Sequence, residues 1–136
     1  EQVHVQHILV KTQEEAQAIL ERVRRGENFA AIAAQLSQDN LTKDKGGDLG
    51  WFARGTHAPV FEEAVFALKS TGDLTIVEDG SGFHVAMLVE RDPDRPLDPA
   101  LLDFRRRHAI NRWLQEQRLH ADISYNVELY QQLLMR

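Results

Sequence analysis

Apolar positions recur along this chain with two periods, and each period predicts its own kind of element. Residues 3–11, VHVQHILVK, are rich in β-branched side chains and apolar on both faces, with Val3, Val5, His7 and Leu9 pointing one way and Ile8 and Val10 the other. That pattern predicts a central strand covered on both sides. Thr12 then opens a helix, with Glu15 completing a capping box; Ala16, Ile19, Leu20 and Val23 carry its apolar stripe and Gly26 suits its stop. Asn28 caps a second helix whose stripe is Phe29, Ile32, Ala33 and Leu36. After a polar, Gly-rich loop (37–50), Leu49 to Phe52 reads as a short strand. Pro59 starts a helix presenting Phe61, Ala64, Val65 and Leu68, which Gly72 is expected to end. Leu74 to Val77 reads as another short strand, EDGSG (78–82) as a turn, and FHVAMLVE (83–90) as a closing strand.

The order strand, helix, helix, strand, helix, strand, strand, with a hairpin-length turn near 78–82, places the chain in the α+β class. Residues 92–99, DPDRPLDP, hold three of the four prolines and form a rigid linker. Asp98 as N-cap and Pro99 at the first helical position launch a helix of about twenty residues. ISYN (123–126) and a short amphipathic tail complete the chain. The linker divides the sequence into a domain over 1–92 and an appendage over 93–136.

Composition narrows the classes of function. A hydrophobic fraction of 43% in 136 residues supports one real core. The net charge of −5 argues against nucleic acid or an anionic membrane as partner. The charge is uneven: residues 1–97 carry ten basic against sixteen acidic side chains, and residues 98–136 six against five. With no cysteine there is no disulfide, thiolate metal site or cysteine nucleophile. No apolar run reaches the length of a membrane span. The first residue is Glu1 and the apolar alternation begins at Val3, so the chain reads as a fragment of a longer precursor.

None of the six histidines has the i, i+4 spacing of a helical zinc pair, so no metal or other cofactor is expected. His7 and His84 are more informative. Each lies inside an apolar strand, where an unsatisfied ring nitrogen is costly. If the strands are neighbours, each ring can donate to the other or to a hydroxyl. From the residues alone this is either a satisfied core network or a functional pair.

HILVK (7–11) with the following Glu14, Glu15 and Ala16, then ENFAAIAAQLSQD (27–39), KGGDLGWFARG (45–55), PVFEEAVFAL (59–68) and SGFHVAMLVE (81–90), resemble in order the motifs of the parvulin-type peptidyl-prolyl cis/trans isomerases. The resemblance covers about residues 3–91. It implies a four-stranded antiparallel sheet surrounded by helices, here with an added C-terminal helical segment. It also implies catalysis of X–Pro rotation in proline-containing polypeptide clients. His7 and His84 match the family's paired active-site histidines, Asp39 the acidic or thiol position nearest the rotating bond, and Ser81 a nearby hydroxyl; Asn40 replaces Asp39 if the loop register shifts by one. Leu49 and Phe61 match the apolar walls that hold the proline ring. His57 stands where the family usually places methionine, which alters the pocket and makes binding sensitive to pH.

Asp39 also suits an Asx cap, Phe61 belongs to a helical core stripe, Trp51 and Phe52 read as core, and Gly46, Gly47 and Gly50 serve backbone geometry. Rotation about a peptide bond faces a barrier of about 18–20 kcal/mol and breaks no bond. With no cysteine, and no base visibly paired with Ser81, the expected mechanism is noncovalent twisting. Phosphate-directed parvulins carry a basic cluster after the first strand. KTQEE (11–15) offers no such fork, so no phosphoresidue before proline is expected.

On the last helix Leu102, Ala109, Ile110 and Trp113 form one arc with Leu114 at its edge, while Leu101 and Phe104 lie on other faces. Such a helix needs further partners over 98–120: an N-terminal helical segment, a second protomer, or a client. The arrangement resembles bacterial foldases, in which helices flank the isomerase, and that resemblance favours the cell envelope over the cytoplasm. A catalytically weak binding or chaperone module is the rival expectation.

Overall fold

The computed structural model describes residues 1–121 together with Gln131 and Leu134. ISYN (123–126) and most of the tail lie outside the described residues. Four strands, β1 (Gln2–Val10), β2 (Asp48–Phe52), β3 (Leu74–Asp79) and β4 (Gly82–Asp92), pair antiparallel in the order β2-β1-β4-β3. Helices α1 (Gln13–Arg24), α2 (Phe29–Leu36) and α3 (Pro59–Ala67) connect them, with a 3-10 turn at Lys43–Lys45, and α4 (Pro99–His120) follows. The chain divides into two compact bodies, Glu1–Pro96 and Leu97–Arg136.

β1 is central because both of its faces are apolar. Val3 and Val5 join Ala86 and Leu88 of β4 and Phe61, Val65 and Phe66 of α3 in one cluster. Ile8, Val10 and Val85 meet Ala16, Ile19 and Leu20 of α1 and Phe29, Ile32 and Ala33 of α2 in another. Each fully buried Val, Leu or Ile contributes about 1.5–3 kcal/mol relative to exposure, so the sheet cannot slip by one residue without exchanging its two cores.

The helix ends follow local chemistry. Thr12 and Glu15 form the reciprocal capping box, and Asn28 accepts from the Ala31 N–H at 2.9 Å. α3 stops at Ala67, five residues before the Gly72 expected to end it. There the Arg91 guanidinium donates to the carbonyls of Phe66 and Leu68, an end-cap supplied from β4 that no local signal announces. Trp51, read as core, is only half-buried. Strand alternation turns Phe52 into the α3 cluster and Trp51 to the other side, between the His4 ring and the Arg95 guanidinium, 5.6 Å and 4.3 Å away. The first linker residues also lie against the sheet, since Gln2 Nε2 donates to the Pro96 carbonyl at 2.7 Å.

In the second body α4 runs for 22 residues from the Asp98 cap, whose carboxylate accepts from the Ala100 and Leu101 N–H groups. It buries no residue, and Phe104, Ile110, Trp113, Leu114 and Leu119 are exposed. No helix among the described residues is long and apolar enough to cross a membrane.

The Gly-rich loop owes its composition to one contact. Gly47 has φ +78° and accepts the His7 N–H on its carbonyl at 2.8 Å; a Cβ there would stand 2.1 Å from the His7 carbonyl oxygen. Gly50 has a similar φ of +69° but open space around it. Gly47→Ala is therefore expected to cost well over ~1 kcal/mol and Gly50→Ala only the backbone strain of about that size. Thermal melts of the two variants check this; equal losses would mean that the approach to His7 is not the constraint.

Candidate active site

β1 and β4 bring His7 and His84 together. The register pairs Leu9 with His84 and His7 with Ala86, so the imidazoles are diagonal neighbours on the sheet face that α3 covers. Their Nδ1 atoms lie 3.1 Å apart and their planes differ by 12°. Both residues are more than nine-tenths buried, which obliges every ring nitrogen to find a partner.

The outer nitrogens do so at opposite ends. His7 Nε2 lies 2.9 Å from Asp39 Oδ2 and 3.0 Å from Thr42 Oγ1, and the Thr42 hydroxyl itself donates to Asp39. His84 Nε2 lies 3.0 Å from Ser81 Oγ and 3.1 Å from Asp79 Oδ2, and the Ser81 hydroxyl donates to Asp79 Oδ1 at 2.6 Å. A line of four ionisable groups, Asp39–His7–His84–Asp79, thus runs under the site with a hydroxyl at each end.

Above this floor is a small open cavity of ≈ 80 Å³ lined by His7, Leu49, His57, Ala58, Phe61, Asp79 and His84. Phe61 presents ring contacts to His84 at 5.6 Å and to His57 at 5.8 Å, and His57 stands edge-on to Phe52 at 4.4 Å. The loop carrying His57 is held by Glu62. This buried carboxylate accepts the backbone N–H groups of Gly55, Thr56 and His57, each at 2.8 Å.

Every residue expected at the site from the sequence lies in this constellation: His7, Asp39, Ser81 and His84 in the polar line, and Leu49, His57 and Phe61 in the wall. Asp39 faces His7, while Asn40 is exposed. Phe61 is both core and wall, 4% exposed and bordering the cavity. Ser81 does have a base beside it, contrary to expectation; the pairing arises because the β3–β4 turn folds the hydroxyl back onto His84. Thr42, Asp79, Ala58 and Glu62 were missed. Asp79 carried the clearest signal, an acid two positions before Ser81 in a tight turn. Glu62 carried a weaker one, an acid inside the apolar stripe of α3. Among the described residues no group of three or more His, Asp or Glu side chains is arranged to hold a metal ion.

Residues 1–92 match the family model of the PPIC-type PPIASE domain. The chain is 36% identical over 135 residues to foldase protein PrsA 2 of Bacillus cereus, covering 99% of this chain and 45% of that protein. It is 44% identical over 85 residues to foldase protein PrsA of Caldanaerobacter subterraneus, covering 62% and 28%. It therefore spans less than half the length of these relatives. The crystal structure of the peptidylprolyl isomerase PrsA from Bacillus anthracis superposes with a TM-score of 0.69 at 32% identity, over 92% of this chain and 62% of that one. The parvulin of Nitrosopumilus maritimus superposes with 0.61 at 34% identity, over 65% of this chain and 96% of that one. Two thirds of the chain thus matches nearly the whole of a small parvulin.

The electrostatics are dominated by burial and by donors. Burial pushes the His7 imidazolium down against the pull of Asp39, and burial likewise lowers His57 against Glu62. Burial would raise the Asp39, Asp79 and Glu62 carboxyls, but their donors outweigh it and hold all three below the usual range, Asp79 at about 2. A group held below its unfolded value contributes stability that is complete above that value and vanishes as pH falls to the folded one. As the Asp79 carboxyl itself titrates, the stability advantage of the native chain over Asp79→Asn is accordingly expected to shrink as pH falls from 3.8 to about 2. Urea midpoints of the two proteins across that range check it; an advantage that grows on acidification would contradict the ion-paired carboxylate.

Proposed function

We propose, given that the chain belongs to the PPIC-type peptidyl-prolyl isomerase domain family, that it accelerates X–Pro rotation in extended protein segments by noncovalent twisting, as one part of a longer foldase. The observation that carries this reading is the juxtaposition of an apolar wall, Leu49 and Phe61, with a buried polar floor built on His7 and His84.

The chemistry of rotation explains why both halves are needed. A planar X–Pro amide is stabilised by resonance and by water around its dipole. Seating the proline ring between Leu49 and Phe61 removes that water, which favours the less polar twisted form. The rigid floor of His7, His84, Ser81 and Asp39 then meets the altered charge of the twisted bond without having to reorganise. No bond is broken, so Ser81 is not required as a nucleophile, and its proton is committed to Asp79.

Similarity to foldase proteins supports the foldase setting, as does α4, whose Phe104, Ile110 and Trp113 are exposed. Residues 93–136 then form part of a helical chaperone or dimerisation module, their apolar side chains covered by other segments of the longer protein or by a second protomer. Clients are proline-containing polypeptides, with no phosphoresidue needed before proline. His57 favours one rival: its ring alters the proline pocket, which is the feature a weakly catalytic binding module would show.

Leu49→Ala is expected to lower kcat/KM for a proline peptide about tenfold or more with little change in melting temperature, because Leu49 is only half-buried. Phe61→Ala should lose both turnover and about 3–5 kcal/mol of stability, since it also belongs to the core. Peptide binding without acceleration by the native chain would select the binding-module reading instead. A chain ending at Pro96 is expected to retain peptide turnover and to lose suppression of aggregation of an unfolded client; loss of turnover would place part of the catalytic site in the second body.

A further inference from the structure

The polar line under the pocket, buried at its two imidazoles, needs more protons than two neutral rings supply. At one end the Thr42 hydroxyl donates to Asp39 Oδ2, so the Thr42 oxygen and the Asp39 carboxylate both present lone pairs to His7 Nε2. At the other end the Ser81 hydroxyl donates to Asp79 Oδ1, so the Ser81 oxygen and Asp79 Oδ2 both present lone pairs to His84 Nε2. Each outer nitrogen must therefore carry a hydrogen. The 3.1 Å contact between the two Nδ1 atoms requires one more, on one ring or the other. Three contacts thus ask for three protons, whereas two neutral rings hold two.

We infer that Asp79 keeps an additional proton on the His7–His84 pair, so that the two rings share three protons and one positive charge between two carboxylates. Asp79 is a positioning residue: it acts through His84, fixing both ring orientations and the direction of the central hydrogen bond. Asp39 alone would be satisfied by a neutral pair, because its demand ends at His7 Nε2. The second carboxylate creates the shortfall.

Burial works against a charge on His7, and the acceptors that face the pair at its two ends work for it. Asp39 and Thr42 approach from the segment after α2, Asp79 and Ser81 from β3 and its turn, and Leu49 from β2. α3 contributes the uncharged edge of Phe61. Among the described residues the one opposing group is His57, from the loop before α3; burial lowers its affinity for a proton, and Glu62 holds the loop that carries it. Loss of the third proton leaves two lone pairs facing each other across about 3 Å at one of the three contacts, and a ring must turn. The floor then loosens while the apolar walls remain. For this kinetic consequence the inference rests on the isomerase reading; the proton count belongs to the resting protein.

The test is a long-range ¹H–¹⁵N spectrum of the full chain carrying ¹⁵N-labelled histidine, recorded from pH 5 to 9 without substrate. The expected result is that at neutral pH one ring of the pair has both nitrogens protonated and the other is a neutral Nε2–H tautomer. In Asp79→Asn and Asp79→Thr the third proton should be lost at a pH lower by about 1 unit or more, and Asp79→Glu should restore part of the shift. In the native chain kcat should fall with the same midpoint while KM changes little. Two neutral rings at pH 7 in the native chain would overturn the inference whether or not the variants fold. So would a midpoint unmoved in folded Asp79→Asn and Asp79→Thr. A protonated pair in a chain that fails to accelerate rotation would sink the isomerase reading and leave the proton count standing.

Discussion

Two imidazoles buried against each other on adjacent central strands impose the constraint from which the rest of the site follows. Buried polar nitrogens are expensive unless paired, and the 3.1 Å contact between His7 and His84 satisfies only one nitrogen of each ring. The segment after α2 must therefore deliver Asp39 and Thr42 to one end, and the β3–β4 turn must deliver Asp79 and Ser81 to the other. The Gly-rich loop lies directly on the backbone of His7, which is possible only because Gly47 has no side chain. Fold and site are in this sense one hydrogen-bonded object, with β1 and β4 as its spine.

Around that object the molecule separates two physical tasks. The floor is polar, buried at its two imidazoles and saturated with hydrogen bonds, so it resists reorganisation. The wall is apolar and held from behind, Phe61 by the core of α3 and His57 by the Glu62 carboxylate beneath its loop. A reaction that only twists a bond gains little from reactive groups. It gains from a dry seat for the ring and a field that does not relax toward the planar amide. On the proposed function, the apolar wall supplies that seat and the fixed dipoles of the floor supply that field.

The second body has a different character. α4 carries no buried residue and shows Phe104, Ile110 and Trp113 to its surroundings. An isolated helix of this kind draws little stability from its own apolar side chains. The curated relatives are more than twice as long as the chain.

The sequence by itself determined the elements of the first body and named seven side chains that folding brings around one cavity. Periodicity placed every strand and α-helix of the first body, though not the 3-10 turn at Lys43–Lys45, since burial of β1 on two faces writes its own pattern. Capping chemistry located the starts of α1, α2 and α4 because those signals lie within four residues of one another. The ordered motifs singled out His7, Asp39, Leu49, His57, Phe61, Ser81 and His84. What the tertiary structure alone decided depends on separations of tens of residues. The end of α3 is set by Arg91 from β4, and Trp51 lies outside the core because of strand alternation and its neighbours His4 and Arg95. Thr42, Asp79 and Glu62 matter only through the groups that folding brings to them. A carboxylate in a turn looks the same in sequence whether it faces water or a buried imidazole. Its meaning comes from the partner's position, and that is fixed only when the strands pair.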